Sequence, residues 1–519
     1  MALGTRRRLT WTLFVVGALG VAGPLAACGS TSDDPGTPDG GRVRDGGHDT
    51  GPDAPLCPAS QAFCGGGCID VMADDQNCGG CGVVCSGGQH CGRGTCQASK
   101  IEHVVLIVQE NHTFDNYFGR YCKAAAGSNP TCTAGRDCCE AAPATEPRGA
   151  SPTVLDDDSN FASDRDHAQD CELQQINGGK MDGFVTGSTG ADTCLGFGPS
   201  CSNPKNWALA GESTVGLYWS LADQNALADR YFQPIAGGTA SNNMYFATTH
   251  VQFVNNQYFP ASIATGCVDP NGTCITKDRI SYAGRSTIAD LLLAAGKTFS
   301  VYADGFREAK AAAPSCPSAP SSCPYSSCIA HPVACHACIY DASDIPFQYY
   351  ASLVDGPHIE DYADLKTDLE GGKLPSFAFV KAKEWHSEHP NVSTITDGVS
   401  FVANTLNLIA ASRYAASTLV LVTWDEGGGF FDHVPPPPGV DKYDDGKTVP
   451  YGTRVPMLAV GPFARKGSVS HVPMEHSSVV RFLEYNFLGP VGQLSGNDAK
   501  VHNLGSLLDP EKTGVPIPE

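Results

Sequence analysis

The stretch from residue 104 to residue 111 reads VVLIVQEN, and it decides the fold class. Five consecutive apolar residues, 104–108, are typical of a strand that is buried on both faces, as in a parallel sheet. Glu110 and Asn111 come just after this run, so we expect them at the carboxyl end of the strand. In open α/β sheets, ligands bind at this edge. The stretch therefore predicts two oxygen ligands at the functional edge of a sheet.

Similar short apolar runs recur along the chain, and helical patterns lie between several of them. The helical patterns cover residues 288–295, 401–411 and 476–487. Strands that alternate with helices favour an α/β domain. We therefore predict a doubly wound, mostly parallel sheet. Its further strands are expected at residues 299–302, 377–380, 419–423 and 457–460.

The run at residues 419–423 ends as the first one does, because Asp425 and Glu426 follow it. If the two strands are parallel, these acids meet Glu110 and Asn111 at one edge. Side-by-side carboxylates repel each other unless a cation or protons intervene, so we predict one or more divalent metal ions. Oxygen ligands favour calcium or magnesium, although zinc also accepts carboxylates. The alternative is a capped glycine turn at one strand end and a solvated strand end at the other.

Two longer motifs resemble those of a known family. Residues 109–119 read QENHTFDNYFG, and residues 425–437 read DEGGGFFDHVPPP. They resemble the two signatures of the bacterial phosphoesterase family that includes phospholipases C and acid phosphatases. The resemblance spans nearly all of residues 100–490 and implies an alkaline-phosphatase-like fold, with the metal held by the four oxygen-bearing side chains named above. Gly427 stands where this family often has His or Asn.

A third segment supplies the candidate nucleophile. Residues 228–243 resemble the family segment that ends G-x-T-x-P-N-R, which places Thr239 at the nucleophile position. Glycines before Thr239 and a helix-like start after it let a hydroxyl protrude where free backbone amides favour an anion. Asn242 remains as a candidate amide donor, but Ser241 and Asn243 replace the usual Pro and Arg, and the missing Arg removes a bidentate phosphate donor. Ser241 is a rival nucleophile, and a plain helix N-cap is the alternative role for Thr239.

Histidines are the candidates for protonating the leaving group. His389, in the segment SEHP, matches a family segment, and His167 and His433 are further candidates. Each of them could instead be a structural hydrogen-bonding residue. Lys180 could supply positive charge or be an ordinary surface residue. The predicted reaction is attack of Thr239 on the phosphorus of a phosphate ester, followed by hydrolysis of the phosphothreonine by water.

The substrate class has several candidates. The ester could be a phospholipid, as for a phospholipase C, or a soluble phosphomonoester, as for an acid phosphatase. The same fold also hosts sulfatases and phosphonate-cleaving enzymes. A catalytically decayed surface binding protein is the non-enzymatic alternative. The replacements at Ser241 and Asn243 favour it, whereas the retained metal-site residues and Thr239 count against it.

The amino terminus predicts export and lipid anchoring. Basic residues 6–8 precede an apolar stretch at 13–21, which is too short to span a bilayer comfortably. The lipobox Leu-Ala-Ala-Cys follows, so we predict a lipoprotein signal peptide at 1–27 and lipid on Cys28, which would hold the protein at the bacterial cell envelope or surface. Residues 28–56, rich in Asp, Gly and Pro, are expected to form a flexible tether. An ordinary signal peptide with an incidental cysteine is the alternative.

Charge and cysteine content constrain the partners and the compartment. The formal net charge is −21, so the chain repels polyanions and nucleic acid is a poor partner. The expected partners are a phosphate-ester substrate and, through the lipid, the membrane. The 23 cysteines favour an oxidising compartment. Without Cys28 their number is even, as full disulfide pairing requires.

Eight of these cysteines lie in residues 57–97, which predicts a small disulfide-rich module ahead of a phosphoesterase domain at 98–519. Zinc at Cys78 and Cys81 is the alternative, because their spacing suits a metal ligand pair. A loop-like insertion at 305–345 holds five more cysteines, for which disulfide bracing is favoured over zinc.

Overall fold

A computed structural model describes residues 57–162, 164–188, 201–262, 279–312 and 340–519. The predicted signal peptide, Cys28 and the tether lie outside the described residues, as do all five cysteines of the predicted insertion. Residues Pro55–Glu519 form one compact unit. Among the described helices, none combines the length and the apolar character that crossing a bilayer requires.

The cysteine-rich segment folds as two small hairpins. They are formed by β1 (Gln61–Cys64) with β2 (Gly67–Asp70) and by β3 (Gln89–Gly92) with β4 (Thr95–Ala98). The eight cysteines form the disulfides Cys57–Cys68, Cys64–Cys81, Cys78–Cys91 and Cys85–Cys96. These bonds replace an apolar core, so the predicted disulfide-rich module is confirmed. Zinc has no free thiolate at Cys78 or Cys81, because both sulfurs are bonded to other cysteines.

This module packs on the C-terminal part of the chain through His90. The His90 ring stacks on Tyr485 with 3.6 Å between ring centroids. Its Nε2 lies 2.6 Å from the Tyr485 carbonyl oxygen, and its Nδ1 lies 2.7 Å from Oδ2 of Asp75. Gln97 donates a hydrogen bond of 2.8 Å to the carbonyl of Gly514. A ring stack and polar contacts therefore fix the module to the large domain.

The large domain alternates strands and helices. Its strands in the described residues are β5 (His103–Gln109), β6 (Thr153–Leu155), β7 (Ala208–Ala210), β8 (Ala226–Ala228), β9 (Tyr231–Phe232), β10 (Phe259–Pro260), β11 (Arg279–Ile280), β12 (Phe299–Ala303), β13 (Ile359–Asp361), β14 (Phe377–Lys381), β15 (Thr418–Trp424), β16 (Met457–Val460), β17 (Ser468–Ser470) and β18 (Met474–Glu475). Its helices there are α1 (Phe114–Phe118), α2 (Asp157–Phe161), α3 (Gln169–Ile176), α4 (Glu212–Gln224), α5 (Thr239–Asn243), α6 (Ile288–Ala294), α7 (Phe306–Ala312), α8 (Tyr362–Gly371), α9 (Ile395–Ala410), α10 (His476–Leu488) and α11 (Pro510–Thr513).

Eight strands form the central sheet, in the order β13-β12-β14-β5-β15-β16-β8-β17. Seven of them run parallel, and β16 runs antiparallel to both of its neighbours. Helix α9 packs with α4 and α8, and α10 packs with α6. The predicted α/β fold with a mostly parallel sheet is confirmed. The apolar run of β16 does not reveal its direction, because a strand between two neighbours is buried whichever way it runs.

All five predicted strands and all three predicted helices are present. Helix α9 begins six residues before the predicted start, because Thr394 caps it and accepts a hydrogen bond from the backbone N–H of Asp397. Strands β8, β13 and β17 were not predicted, since three residues carry too little pattern to be recognised.

The register of the central strands brings their carboxyl ends side by side. Trp424 of β15 pairs with Gln109 of β5, so Asp425 and Glu110 leave their strands at adjacent positions. Lys381 ends β14 at the same edge. Because β8 is also parallel to these strands, the chain that follows it begins at this edge as well. The sheet therefore gathers charged side chains along one edge.

Candidate active site

The four predicted metal ligands meet at this edge. Glu110, Asn111, Asp425 and Glu426 are all buried. The backbone N–H of Asn111 donates to Oδ1 of Asp425 over 3.2 Å. Asn111 has a φ of 64°, a left-handed conformation that is rare outside glycine and common at functional sites. A Cβ on Gly428 would lie 2.3 Å from the carbonyl oxygen of Asn111, so the glycine permits this close approach.

Asp425 and Glu426 each have one carboxylate oxygen that accepts backbone hydrogen bonds and one that does not. Oδ1 of Asp425 accepts from the backbone N–H groups of Asn111 and Glu426, and Oε2 of Glu426 accepts from Gly428 at 2.6 Å. In the described part of the chain, the other oxygens of both acids and the side-chain amide of Asn111 have no hydrogen-bond partner. Buried polar atoms without partners are costly, so this arrangement fits a bound cation. The donor set is all oxygen, as calcium and magnesium prefer.

Burial and mutual repulsion shift the pKa values of these acids. Burial raises the pKa of Asp425 to about 6, with repulsion from Glu110 adding to the rise and Lys381 opposing it. Burial also raises the pKa of Glu426 well above its usual value; His167 opposes this rise and Asp425 adds to it. A divalent ion would reverse both shifts, because its charge favours the ionised carboxylates.

A lysine and two acids that were not predicted lie beside Glu110. Nζ of Lys381 lies 2.6 Å from Oε1 of Glu110 and 3.8 Å from Oδ2 of Asp344. Burial opposes ionisation of Glu110, but Lys381 and His389 hold its pKa down to about 2. Glu384 is also buried in this group. Lys381 could have been found, because a charge at the end of an apolar run is the same signal that singled out Glu110.

Two buried side chains connect the loop before Thr239 to the loop that carries the predicted metal ligands Asp425 and Glu426. Thr239 is the first residue of α5 and is 5% exposed. Gln233 accepts from the backbone N–H of Gly427 at 2.8 Å and donates to Oε2 of Glu172 at 2.9 Å. The same oxygen of Glu172 accepts from the backbone N–H of Gly237 at 2.7 Å. Gln233 and Glu172 therefore connect the loop before Thr239 to the loop after Glu426, and α5 also packs on the turn at Ala342–Asp344.

Gly427 has no room for the His or Asn of the family signature. A Cβ there would lie 2.0 Å from Oγ1 of Thr453 and 3.2 Å from Oε1 of Gln233. The side chains of Gln233 and Thr453 fill this space, and they hydrogen bond to each other over 3.1 Å.

The side chains that follow Thr239 differ in whether they already have hydrogen-bond partners. Oγ of Ser241 donates to the carbonyl of Gly238 at 2.8 Å, so this hydroxyl braces its own loop. The amide of Asn242 donates to Gly237 and accepts from Ile235, which leaves its polar atoms engaged in the same loop. Asn243 is fully buried, and its side-chain amide has no hydrogen-bond partner within the described residues.

Two of the candidate histidines lie at the site. Nε2 of His167 is 3.9 Å from Oε1 of Glu426, and Nδ1 is 2.7 Å from the carbonyl of Arg165. Burial opposes protonation of His167, but Glu426 and Asp164 raise its pKa to about 10. His389 faces it, with 6.1 Å between ring centroids.

The other two basic candidates lie elsewhere. Nδ1 of His433 is 2.9 Å from Asp115 and Nε2 is 2.9 Å from Glu140, so neither ring nitrogen is left for a substrate. Lys180 is exposed in a turn.

Glu388 holds the loop that carries His389 in place. This glutamate was not among the predicted site residues. Its carboxylate accepts hydrogen bonds from Tyr117 at 2.6 Å, from Trp424 at 3.0 Å and from Tyr218. Burial raises its pKa to about 7, although the three donors oppose the rise. Nothing in the sequence singles out this glutamate, because its partners lie far from it along the chain.

Comparisons with known proteins show which family the chain is similar to. A model described as the phosphoesterase family matches residues 101–488, and one described as the stigma-specific STIG1-like protein family matches residues 44–99. A non-hemolytic phospholipase C of Pseudomonas aeruginosa is 26% identical over 430 residues, which cover 75% of this chain and 54% of that protein. Phospholipase C B of Mycobacterium tuberculosis is 25% identical over 455 residues, 80% of each chain. The chain thus spans about half the length of the first relative.

Solved structures with partial similarity include a protein of the alkaline phosphatase superfamily from Vibrio parahaemolyticus. It is 13% identical, with a TM-score of 0.31, and the match covers 56% of this chain and 65% of that one. A phosphonate monoester hydrolase from Silicibacter pomeroyi is 12% identical, with a TM-score of 0.27 and coverage of 57% and 71%.

Proposed function

Because this chain belongs to the phosphoesterase family, we propose that it is a metal-dependent phosphoesterase that hydrolyses its substrate through Thr239. The observation that carries the proposal is the set of buried oxygen atoms at the sheet edge. Asn111, Asp425 and Glu426 each present polar atoms that lack hydrogen-bond partners in the described part of the chain. A bound cation would pair with these buried polar atoms, whereas in a site that binds no ligand they would stay unpaired.

The residues of the chain have distinct parts in the proposed reaction. Glu110, Asn111, Asp425 and Glu426 hold the ion, which supplies Lewis-acid stabilisation of the developing negative charge when it is bound. Oγ1 of Thr239 forms a bond to phosphorus as the bond to the leaving oxygen breaks, and its hydroxyl proton passes to water.

His389 and His167 have different roles in the rest of the proposed reaction. His389 gives a proton to the leaving oxygen, and water later cleaves the phosphothreonine. Although burial opposes it, Glu426 and Asp164 raise the pKa of His167, and a protonated His167 would stabilise negative charge on the phosphoryl group.

For the substrate we propose a phospholipid, cleaved as by a phospholipase C. Support comes from the relatives in Pseudomonas and Mycobacterium, whose names describe that activity. A soluble phosphomonoester is the alternative.

The proposed location is the cell envelope, with lipid on Cys28. Seven disulfides among the described residues favour an oxidising compartment, which supports export. Labelling with a fatty acid tests the anchor: the chain should incorporate label, and the Cys28→Ser variant should not. Label in the variant would rule this anchor out.

The central experiment measures hydrolysis of p-nitrophenyl phosphate and p-nitrophenyl phosphorylcholine by the full chain, with and without EDTA. We expect turnover of the phosphorylcholine ester that EDTA abolishes and added divalent metal restores. Asp425→Asn should lose it, whereas Asp445→Asn, a change at an exposed aspartate, should not. Preference for p-nitrophenyl phosphate would favour the phosphatase alternative. No turnover of either ester by the folded, metal-supplied protein would favour the binding-protein alternative.

A further inference from the structure

Lys381 places a fixed positive charge inside the acidic edge of the sheet. It is the last residue of β14 and is 2% exposed, so its ammonium group is shielded from solvent. Lys381 pairs with Val108 of β5, and Val108 lies two residues before Glu110 in the chain. Its Nζ lies 2.6 Å from Oε1 of Glu110 and 3.8 Å from Oδ2 of Asp344. Among the described residues, Lys381 is the ion-pair partner of both Glu110 and Asp344.

The acids around this lysine have the composition of a metal site. Glu110, Asp344 and Glu384 each offer a carboxylate oxygen, and these oxygens lie within 4.8 Å of one another. All three residues are buried, and Oε2 of Glu384 has no hydrogen-bond partner among the described residues. Three buried carboxylates this close repel each other unless a cation or protons lie among them. In the structure, the ammonium group of Lys381 is the cation beside two of them, Glu110 and Asp344.

The other set of ligands lies on the opposite side of Glu110. Asp425 and Glu426 follow β15, which neighbours β5 on the side away from β14. Glu110 therefore lies between Lys381, at the end of β14, and any ion held by that pair. The edge therefore has two acidic halves that share Glu110, and one half already contains a cation.

We propose that Lys381 is a built-in cation that takes the place of a second metal ion, so that the site holds one divalent ion instead of two. The proposal rests on the metal-dependent function proposed above. An ammonium group suits this role because it is a compact point charge that imposes no coordination geometry. It also repels any further cation from the Asp344 and Glu384 half. Lys381 is thus a positioning residue that holds Glu110 and sets the number of ions bound.

The test is the number of Mn²⁺ ions bound per chain, measured by isothermal titration calorimetry and by metal analysis of the dialysed protein. Mn²⁺ is a suitable probe because carboxylate oxygens bind it readily. We expect one ion per wild-type chain and two per chain in Lys381→Met, whose side chain has similar length and no charge. Lys383→Met is the matched control, since Lys383 lies two residues away and is more exposed, and it should bind one ion.

A second variant keeps the test decisive if Lys381→Met does not fold. The triple variant Lys381→Met, Asp344→Asn, Glu384→Gln removes the repulsion together with the lysine, and it should fold and bind one ion. Two ions in the wild-type chain, one ion in folded Lys381→Met, or two ions in the triple variant would each overturn the proposal. No ion in the wild-type chain would refute the metal-dependent function itself, and this inference with it.

Discussion

The imidazole rings of His167 and His389 lie edge to face, with 6.1 Å between their centroids. Nδ1 of each ring lies 2.7 Å from a backbone carbonyl, of Arg165 and Pro390 respectively. A ring nitrogen beside a carbonyl carries its proton, which leaves Nε2 of each histidine for other partners. For His167 that partner is Glu426, whereas Nε2 of His389 has no hydrogen-bond partner among the described residues.

The first prediction concerns His389. His389→Gln should lower kcat about 10²- to 10⁴-fold for an ester with an alkyl leaving group, because that oxygen needs a proton as it departs. For a p-nitrophenyl ester the loss should be much smaller, since p-nitrophenolate leaves without one. Steady-state kinetics on the two esters gives the ratio, with the exposed His502→Gln as control. Equal losses on both esters would contradict this role.

The second prediction concerns the nucleophile. Thr239→Ala should lose on the order of 10⁴-fold or more in kcat, because the covalent route disappears. Thr239→Ser should keep part of the activity, and Ser241→Ala should keep most of it, since the Ser241 hydroxyl is bonded to its own loop. Mass spectrometry of acid-quenched enzyme should find phosphate on Thr239. Phosphate on Ser241 would reverse the assignment.

The third prediction follows from Glu172. Burial raises its pKa to about 7, although the N–H groups of Thr453 and Gly237 oppose the rise. The folded state therefore keeps a proton that the unfolded state releases above pH 4.5 or so. This stabilisation is complete below the unfolded pKa and is lost as pH rises to about 7, by an amount on the order of 3 kcal/mol.

Glu172→Gln should remove that part of the pH dependence. The measurement is the free energy of unfolding in urea between pH 4.5 and pH 8, with EDTA present. The difference between the variant and wild type should change over this range, whereas for Glu212→Gln, a change at an exposed glutamate, it should stay constant. A constant difference for Glu172→Gln would show that the carboxyl does not titrate in this range.

The fourth prediction concerns metal binding and pH. Burial and Glu110 raise the pKa of Asp425 to about 6, and a ligand must lose its proton before it binds a cation. Affinity for Mn²⁺ should fall about tenfold per pH unit below pH 6 for each proton displaced. Calorimetric titrations at pH 5, 6, 7 and 8 measure this. An affinity that does not change with pH would exclude Asp425 as a ligand.

The fifth prediction concerns Arg454, which links the two signature motifs. Its guanidinium donates to Asp432 at 2.8 Å and to Asp115 at 3.1 Å, and all three side chains are fully buried. Arg454→Met should destabilise the protein by about 3–5 kcal/mol, because two buried carboxylates lose the guanidinium group that they share. Lys366→Met, in an exposed pair on α8, should change stability by less than about 0.5 kcal/mol. Urea denaturation compares the two, and similar small losses would contradict this role of Arg454.

The central strands could be predicted because each is locally recognisable. Residues 104–108 of β5 and 419–422 of β15 are all apolar, as burial on both faces of the sheet requires. Glu110 and Asp425 stood out because they end such runs. Pairing of the cysteines in residues 57–97 could not be deduced, since it depends on which sulfurs the folded hairpins bring together.

The sequence by itself determined the fold class, the disulfide-rich module and four oxygen-bearing side chains at one sheet edge. Local spacing and hydrophobicity encode all of these. Only the tertiary structure decided that Lys381 reaches Glu110, that Glu172 braces the loop of Thr239, and that Glu388 fixes His389. These contacts join residues about 65 to 270 positions apart, and their hydrogen bonds and ion pairs exist only after the sheet has set the register of its strands.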